Sequence, residues 1–431
     1  MERVDQFREY LYRDREEIEA RIERDIEQYR KNDFTLNVPA GTQVEVFQLD
    51  HEFQHGSNML QLDQFETEEK NRRYRERFKE CFNLATIPFY WDALEPEQGK
   101  PRYAADSAFI YRRPPIDPCL EYCEQNGVTP KAHCLNYDRF SPAWVKGRPV
   151  SEVKKLLIKR FEELSARYAE RIPCWEVFNE LLCKNGTTPF YDADDMPLWS
   201  FKQAERLFPA NELMTNEYTV NIFCDKKGTQ HGASRRNPYY MLCEGLIGEG
   251  ARVDAIGMQF HFFTDEQNAV KYAKGLFDLK HHLEVLDRFA KLGRPLQITE
   301  VTFPAYGGTE EEFEFQAELV RMFYRAWFSH PAMEGAVYWN LVDGYAWGAE
   351  PGDFTAGENR YYGGLLDFDL NPKPAYAAMY DLFHKEYHTE ATLTADENGK
   401  VRFRGFYGTY RVKIGDEEKI VTFKRGGATE I

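Results

Sequence analysis

Cys174-Trp175-Glu176-Val177-Phe178-Asn179-Glu180 is a short, largely apolar run that ends on a carboxylate. A second run, Leu296-Gln297-Ile298-Thr299-Glu300, ends in the same way. A strand that finishes on glutamate puts a charge at the rim of a buried sheet, where holding it costs stability. Two such strands in one chain predict a pair of carboxylates facing each other across a pocket, which is the minimum equipment for cleaving a glycosidic bond.

Six more strand-like runs accompany these two, and amphipathic helices separate most of them. The eight runs cover residues 54–58, 83–88, 129–135, 174–179, 212–215, 255–259, 296–299 and 336–339. Helices are predicted over residues 153–169, 269–292, 310–329 and 375–385. Eight strands separated by helices are typical of an α/β fold of the (β/α)₈ TIM-barrel type. A doubly wound open sheet is the alternative, but no glycine-rich phosphate loop follows any of the strands.

Both ends of the chain differ from this pattern. Residues 5–32 form a charged helical stretch with one narrow apolar face, expected to lie against the main body. Residues 35–50 and 389–431 alternate polar and apolar positions, and turn signals occur at Glu397-Asn398-Gly399 and at Gly405. We therefore predict an N-terminal helical segment (1–33), a β segment (34–51), the barrel (52–388) and a C-terminal β appendage (389–431) that pairs with the first β segment.

Composition narrows the possible partners. The 71 acidic and 55 basic residues give a net charge of −16, which argues against nucleic acid and anionic membranes as partners. The eight cysteines contain no C-x-x-C pair and lie in or beside apolar runs, which indicates buried free thiols rather than a zinc site. No apolar leader follows Met1, so we expect a cytoplasmic protein, or a secreted one if a leader has been removed.

The ends of the predicted strands carry further polar side chains. Glu180 ends the fourth strand and Glu300 the seventh, so in a barrel their carboxyl groups face each other across the mouth, although each alone could be a helix cap or half of a salt bridge. Asn179 is placed to bind a sugar hydroxyl. His261, at the end of the sixth strand, is placed to donate a hydrogen bond to Glu300. Trp339 and Trp347, after the eighth strand, are either sugar platforms or plugs of the barrel rim.

These residues together resemble a known family. Trp175–Glu180 is similar to the acid/base signature of glycoside hydrolase family 10, the endo-β-1,4-xylanases, and Ile298-Thr299-Glu300 is similar to its nucleophile signature. Further motifs occur in the family's order: Trp91-Asp92-Ala93-Leu94-Glu95-Pro96, Ser141-Pro142-Ala143-Trp144-Val145, the pair Gln259 and His261, and Pro372-Lys373-Pro374-Ala375-Tyr376.

The resemblance covers about residues 52–388. It implies a (β/α)₈ barrel, retention of configuration, Glu180 as acid/base, Glu300 as nucleophile and no metal cofactor. The substrate implied is xylan or a xylo-oligosaccharide. Further residues that we expect to bind or support the substrate are Asn179, His261, Gln259, His133, Tyr137, Asp138, Tyr90, Trp144, Tyr218, Trp339 and Trp347.

The sequence departs from the family where the sugar beyond the cleaved unit is held. A Glu-Asn pair and a Lys of the family are here Thr86, Ile87 and Tyr90. The family's Trp-His pair after the third strand is Tyr137-Asp138, and the arginine after the last tryptophan is Gly348. These changes predict a different sugar or shorter chains, and Asp138 is expected to disfavour an acidic decoration beside it.

Three functions therefore stay open. The first is a retaining β-glycosidase acting on xylan or xylo-oligosaccharides, and the second has the same mechanism on another β-linked glycan. The third is a non-catalytic carbohydrate-binding protein on a hydrolase scaffold, which would be expected to have lost a carboxylate. Both carboxylates are present.

Overall fold

The computed structural model describes residues 2–183, 186, 188–224 and 232–431. Its strands are β1 (Lys31–Asn37), β2 (Gln43–His51), β3 (Gln54–Asn58), β4 (Leu84–Pro88), β5 (Thr129–His133), β6 (Cys174–Asn179), β7 (Glu212–Glu217), β8 (Ala255–His261), β9 (Leu296–Thr302), β10 (Met333–Tyr338), β11 (Glu390–Thr394), β12 (Lys400–Phe406), β13 (Gly408–Ile414) and β14 (Glu417–Phe423). Its helices are α1 (Arg3–Leu11), α2 (Arg15–Tyr29), α3 (Glu68–Cys81), α4 (Trp91–Leu94), α5 (Ile116–Asn126), α6 (Val150–Tyr168), α7 (Met196–Leu207), α8 (Thr219–Ile222), α9 (Pro238–Gly248), α10 (Glu266–Leu276), α11 (Leu279–Ala290), α12 (Glu310–Ser329) and α13 (Pro374–Asp381).

Strands β3 to β10 form the predicted barrel. They follow one another in chain order, all parallel, and β10 closes the cylinder by pairing with both β9 and β3. Helices lie between successive strands, so each strand is covered by side chains on both faces. That is why β4, β6, β8 and β9 are buried along their whole length, although β6 and β9 also carry polar side chains such as Glu176, Gln297 and Glu300.

The terminal β segments pair with each other as expected. Strand β2 lies between β11 and β13 in an antiparallel sheet that β14 extends, and β1 pairs with β12. The two sheets enclose a small core in which Phe34 stacks on Phe423 with ring centroids 4.1 Å apart. Phe403 and Tyr410 of the C-terminal appendage are buried in this core and so have a structural role.

Three details of the sequence-based prediction are wrong. The N-terminal stretch is two helices rather than one, broken before Asp14, whose φ of 55° lies in the left-handed region, and its last residues already belong to β1. Residues 269–292 also form two helices, because the Asp278 carboxylate accepts the His281 N–H and starts α11. Gly405 lies inside β12 rather than in a turn. A left-handed backbone at Asp14 and a capping hydrogen bond at Asp278 mark the two helix breaks, and the hydrophobic period of the sequence does not show either of them.

The N-terminal helices pack on the barrel's outer helices. Phe7 of α1 lies edge-on against Phe277, with ring centroids 5.4 Å apart, and also contacts Phe315 of α12. Arg30, which follows α2, is buried and donates to the backbone oxygens of His330 (2.7 Å) and Met333 (2.6 Å). These contacts hold the N-terminal segment against the turn that leads into β10.

Two further sequence predictions concern the thiols and membranes. None of the eight cysteines forms a disulfide within the described residues, and all but the half-buried Cys183 are buried, as predicted. Among the helices of the described ranges, none combines the length and the apolar character needed to span a bilayer.

Candidate active site

A cleft of about 270 Å³ opens where the strands β3 to β10 end at their carboxyl termini. This is the face on which (β/α)₈ barrels carry their functional residues. The side chains that line the cleft are those of Leu60, Tyr90, Arg112, Arg113, His133, Tyr137, Arg139, Phe140, Asn179, Glu180, Cys183, Tyr218, Gln259, His261, Phe263, Glu300, Trp339, Trp347 and Glu358.

Glu180 follows directly after β6, where the backbone turns out of the barrel. Its φ of 51° is a left-handed conformation that a non-glycine residue seldom adopts. The Glu180 N–H donates to the carbonyl of Asn216 on β7, which anchors this turn. Because of the turn, Asn179 and Glu180 both line the cleft, although neighbouring residues in a regular strand would face opposite sides.

Glu300 lies inside β9, which continues to Thr302, and so does not end its strand as the sequence suggested. Its carboxylate is only 4% exposed. Oxygen Oε1 accepts from Asn216 Nδ2 at 3.0 Å, and Oε2 lies 3.0 Å from His261 Nε2. Asn216 of β7 and His261 of β8 therefore hold this side chain in one orientation.

The two carboxylates share one amide group. Gln259 Nε2 donates to Glu180 Oε1 at 3.0 Å and to Glu300 Oε1 at 3.1 Å. The two oxygens are therefore within about 6 Å of each other, close to the ~5–5.5 Å spacing of a retaining carboxylate pair and short of the ~6.5–9.5 Å of an inverting pair.

Burial controls the ionisation of Glu300 and its neighbour. Burial raises the pKa of Glu300 to about 8, and the negative charges of Glu176 and Glu180 add to this, while His133 opposes it. Burial lowers the pKa of His261 to about 4, so its ring is neutral at pH 7. Its Nδ1 has no partner among the described residues, so the single ring proton is best placed on Nε2, where it donates to Glu300.

A buried ionic network below the pair was missed at the sequence level. Glu176 lies 2.8 Å from Lys131 Nζ and 2.5 Å from His133 Nδ1, and all three side chains are almost completely buried. Burial alone would raise the pKa of Glu176, but the charges of Lys131 and His133 outweigh it and lower the pKa to about 2. Charged residues inside otherwise apolar strands are the signal that could have identified this network.

Lys131→Met is expected to destabilise the protein by about 3–5 kcal/mol, because it leaves a buried carboxylate with one cation fewer. Glu176 ionises far below its ordinary pKa of 4.5 in the folded state. Its stabilising contribution is therefore present above pH 4.5 and is lost as the pH falls toward 2. Chemical denaturation at pH 7 measures the loss, with the exposed Lys159→Met as control. Equal stability of the two variants would contradict the network's role.

Two consecutive residues at the end of β7 were also missed. Asn216 Nδ2 donates to Asn179 Oδ1 (2.9 Å) as well as to Glu300, so it ties both carboxylate-bearing strands together. Glu217 accepts from the backbone N–H of Leu182 (2.9 Å) and of Tyr218 (2.8 Å). The Glu217 carboxylate thus anchors the loop that follows Glu180.

The Tyr137-Asp138 pair separates into two environments. The Tyr137 hydroxyl donates to Glu180 Oε2 at 2.5 Å, a direct contact with the candidate acid/base. Asp138 instead lines a small neighbouring cavity together with Tyr191. Asp138 does not line the main cleft, but Asn179 and Glu180 also border its smaller cavity. Its expected effect on an acidic decoration therefore stays a prediction.

The predicted aromatic and supporting residues fall into two groups. Tyr90, Tyr218 and Trp339 are largely buried walls of the cleft, and Trp347 is 41% exposed at its edge. Trp144 does not line the cleft. Its indole N–H donates to the carbonyl of Glu95 at 3.0 Å and its ring packs on Trp91, which is a structural role.

A carboxylate pair at the mouth of such a barrel is the arrangement with which glycoside hydrolases cleave their substrates. The model of glycosyl hydrolase family 10 matches residues 49–382, and the chain belongs to this family. Among curated relatives, anti-sigma-I factor RsgI6 of Acetivibrio thermocellus is 24% identical over 90% of this chain and 45% of its own length. Endo-1,4-beta-xylanase 2 of Arabidopsis thaliana is 26% identical over 78% of this chain and 27% of its own length. The chain thus spans less than half the length of these relatives.

Solved structures support the same fold. Native xylanase 10B from Thermotoga maritima superposes with a TM-score of 0.61 and 23% identity, covering 78% of this chain and 96% of that one. Xylanase 10B from Thermotoga petrophila RKU-1, solved with xylobiose, gives a TM-score of 0.60 and 22% identity, with coverage of 78% and 95%.

Proposed function

We propose that this protein is a retaining β-glycosidase that cleaves β-1,4-linked xylan-type oligosaccharides with Glu180 and Glu300. The observation that carries the proposal is the Gln259 amide, which bonds both carboxylates at once and so fixes their spacing in the range of a double-displacement pair. A non-catalytic binding protein would have no need of this arrangement.

The geometry supports different roles for the two groups. Glu300, deep in the barrel and held by Asn216 and His261, is suited in its ionised form to attack the anomeric carbon and form a glycosyl–enzyme ester. Its raised pKa of about 8 makes this step depend on the fraction of Glu300 that is ionised. Glu180, on the turn after β6, is suited to protonate the leaving oxygen and later to take a proton from the water that hydrolyses the ester. The left-handed turn at Glu180 holds its carboxyl group over the cleft.

The substrate proposed is a xylan-type oligosaccharide. The family, the Arabidopsis thaliana relative named endo-1,4-beta-xylanase 2 and the Thermotoga petrophila structure with xylobiose all support this class. A second candidate is another β-linked glycan. It is favoured by Tyr90 and Tyr137, which line the cleft where the family pattern has Lys and Trp.

Proton NMR of the first-formed product from xylotriose or an aryl β-xyloside tests the mechanism. The initial product is expected to be the β-anomer, with the α-anomer appearing only later through mutarotation. An α-anomer as the first product would exclude double displacement. Hydrolysis of other β-linked glycosides with no action on xylosides would select the second candidate.

A further inference from the structure

Three arginines stand together at one end of the cleft: Arg112, Arg113 and Arg139. Arg112 and Arg113 are only 3% and 9% exposed, while Arg139 is exposed at the edge. In a chain with a net charge of −16, a cluster of three cations at the cleft is unusual and indicates a specific role.

The three lie outside ion-pair distance of every described carboxylate, although the charge of Asp92 still acts on Arg113. Across the described ranges, no carboxylate oxygen lies within the 4.0 Å ion-pair distance of their guanidinium nitrogens. Nε and Nη1 of Arg112 are buried without any hydrogen-bond partner there. Burying a guanidinium with unsatisfied N–H donors costs stability. An anion that accepts hydrogen bonds from Arg112 would remove part of this cost.

The surroundings hold these side chains in place. The Arg113 guanidinium lies over the Tyr90 ring, 4.1 Å from its centroid, and its Nη1 donates to the Arg112 carbonyl at 2.9 Å. Arg139 lies over the exposed ring of Trp347 at 4.6 Å. Arg112 itself has a left-handed backbone with φ of 58°, which turns consecutive arginines toward the same region. The donors are therefore arranged before any ligand binds.

Nearby carboxylates define the side from which an anion can approach. Asp92, Glu350 and Asp353 line an outer cavity that Arg112 and Arg113 also border, so an anion there would meet negative charge. On the cleft side, the carboxylate nearest in the lining besides the catalytic pair is Glu358, whose Oε2 accepts from Asn340 at 2.9 Å. We therefore expect an anion to reach the unsatisfied N–H donors of Arg112 from the cleft rather than from the outer cavity.

We propose that Arg112, Arg113 and Arg139 form a subsite for a carboxylate carried by the sugar bound beyond the cleaved unit, on the side of Tyr90. The substrate class is a β-linked oligosaccharide bearing a uronic acid. The planar guanidinium matches a carboxylate through paired N–H donors, and it binds this group better than a neutral hydroxyl. The subsite rests on the proposed function. It differs from the expectation based on Asp138, which lines a smaller cavity beside Glu180 rather than the cleft itself.

Paired substrates test the subsite. We expect kcat/KM for a glucuronate-bearing xylo-oligosaccharide to exceed that for its carboxyl-reduced, neutral counterpart by about tenfold or more, the size of one charge-assisted hydrogen bond. Arg139→Gln and Arg112→Gln should each lower this acidic-to-neutral ratio severalfold, whereas the remote surface variant Arg402→Gln should leave the ratio unchanged. Equal rates on both substrates, or a ratio that no arginine variant changes, would overturn the subsite.

Binding separates this inference from the proposed function. Calorimetry with the Glu300→Gln protein measures affinity for the acidic oligosaccharide, its neutral counterpart and free glucuronate, at low and high salt. Preferential, salt-sensitive binding of the acidic oligosaccharide without hydrolysis by the unmodified protein would keep the subsite and reject the glycosidase. Hydrolysis of neutral oligosaccharides without this binding preference would keep the glycosidase and reject the subsite. Binding of free glucuronate but not of the acidic oligosaccharide would overturn the proposal that the carboxylate is carried by the bound sugar. If Arg112→Gln does not fold, as judged by circular dichroism, the exposed Arg139→Gln decides.

Discussion

Glu300→Gln is expected to lower kcat by about 10⁴-fold or more, because the amide cannot form the glycosyl–enzyme ester. The substitution keeps the shape of the side chain, and its oxygen can still accept from Asn216 or His261. Hydrolysis of an aryl β-xyloside measures the loss. The exposed Glu152→Gln on α6 is the matched control and should keep full activity. Activity of Glu300→Gln near that of the control would remove Glu300 from its role.

The same variant should be more stable than the parent at alkaline pH. The pKa of Glu300 is about 8 in the folded protein against an ordinary 4.5, because burial disfavours its charge. The folded state therefore binds this proton more tightly than the unfolded state, and the resulting stability is present below pH 4.5 and lost as the pH rises through 8. Glu300→Gln removes this dependence, so its melting temperature should exceed the parent's by an amount that grows from pH 5 to pH 9. The largest gain corresponds to a few kcal/mol. A gain that is constant with pH would show that Glu300 is not held protonated by burial.

Glu180→Gln is expected to affect substrates according to their leaving group. An oligosaccharide needs a proton on its departing oxygen, so its rate should fall by about 10²–10⁴-fold. A dinitrophenyl glycoside leaves without help, so its first step should be affected far less and the ester should accumulate as a burst. Comparing the two substrates measures the effect. Equal losses on both would show that Glu180 is not the acid.

Azide provides the control for this variant. A small anionic nucleophile can enter the space over the ester without base assistance, so azide should restore turnover of Glu180→Gln and yield a β-glycosyl azide. Azide should have no such effect on Glu300→Gln, which forms no ester.

Removal of the Glu180 charge also removes one of the influences that raise the pKa of Glu300, after burial and the Glu176 charge. The acidic limb of kcat/KM for the dinitrophenyl substrate should therefore move to lower pH.

The barrel could be predicted from the sequence because its strands are buried on both faces. Continuous apolar runs such as 255–259 have few alternatives once amphipathic helices separate them. The breaks within helices could not be predicted, because they depend on single residues such as Asp14 and Asp278. Helix propensity and hydrophobic period change little at these two positions. Asp14 interrupts the stretch with a left-handed backbone, whereas Asp278 starts a helix with one capping hydrogen bond.

The sequence by itself determined the family, the barrel and the two strand-associated glutamates, because residue type and spacing encode them locally. Only the tertiary structure decided how these groups meet. Gln259 joins carboxylates that are 120 positions apart in the chain, Tyr137 contacts Glu180, and Asp138 lines a smaller cavity beside Glu180. It also showed that Nε and Nη1 of Arg112 are buried without a hydrogen-bond partner among the described residues. Ionisation, pairing and orientation depend on burial and on partners from distant strands, and these exist only once the barrel has closed.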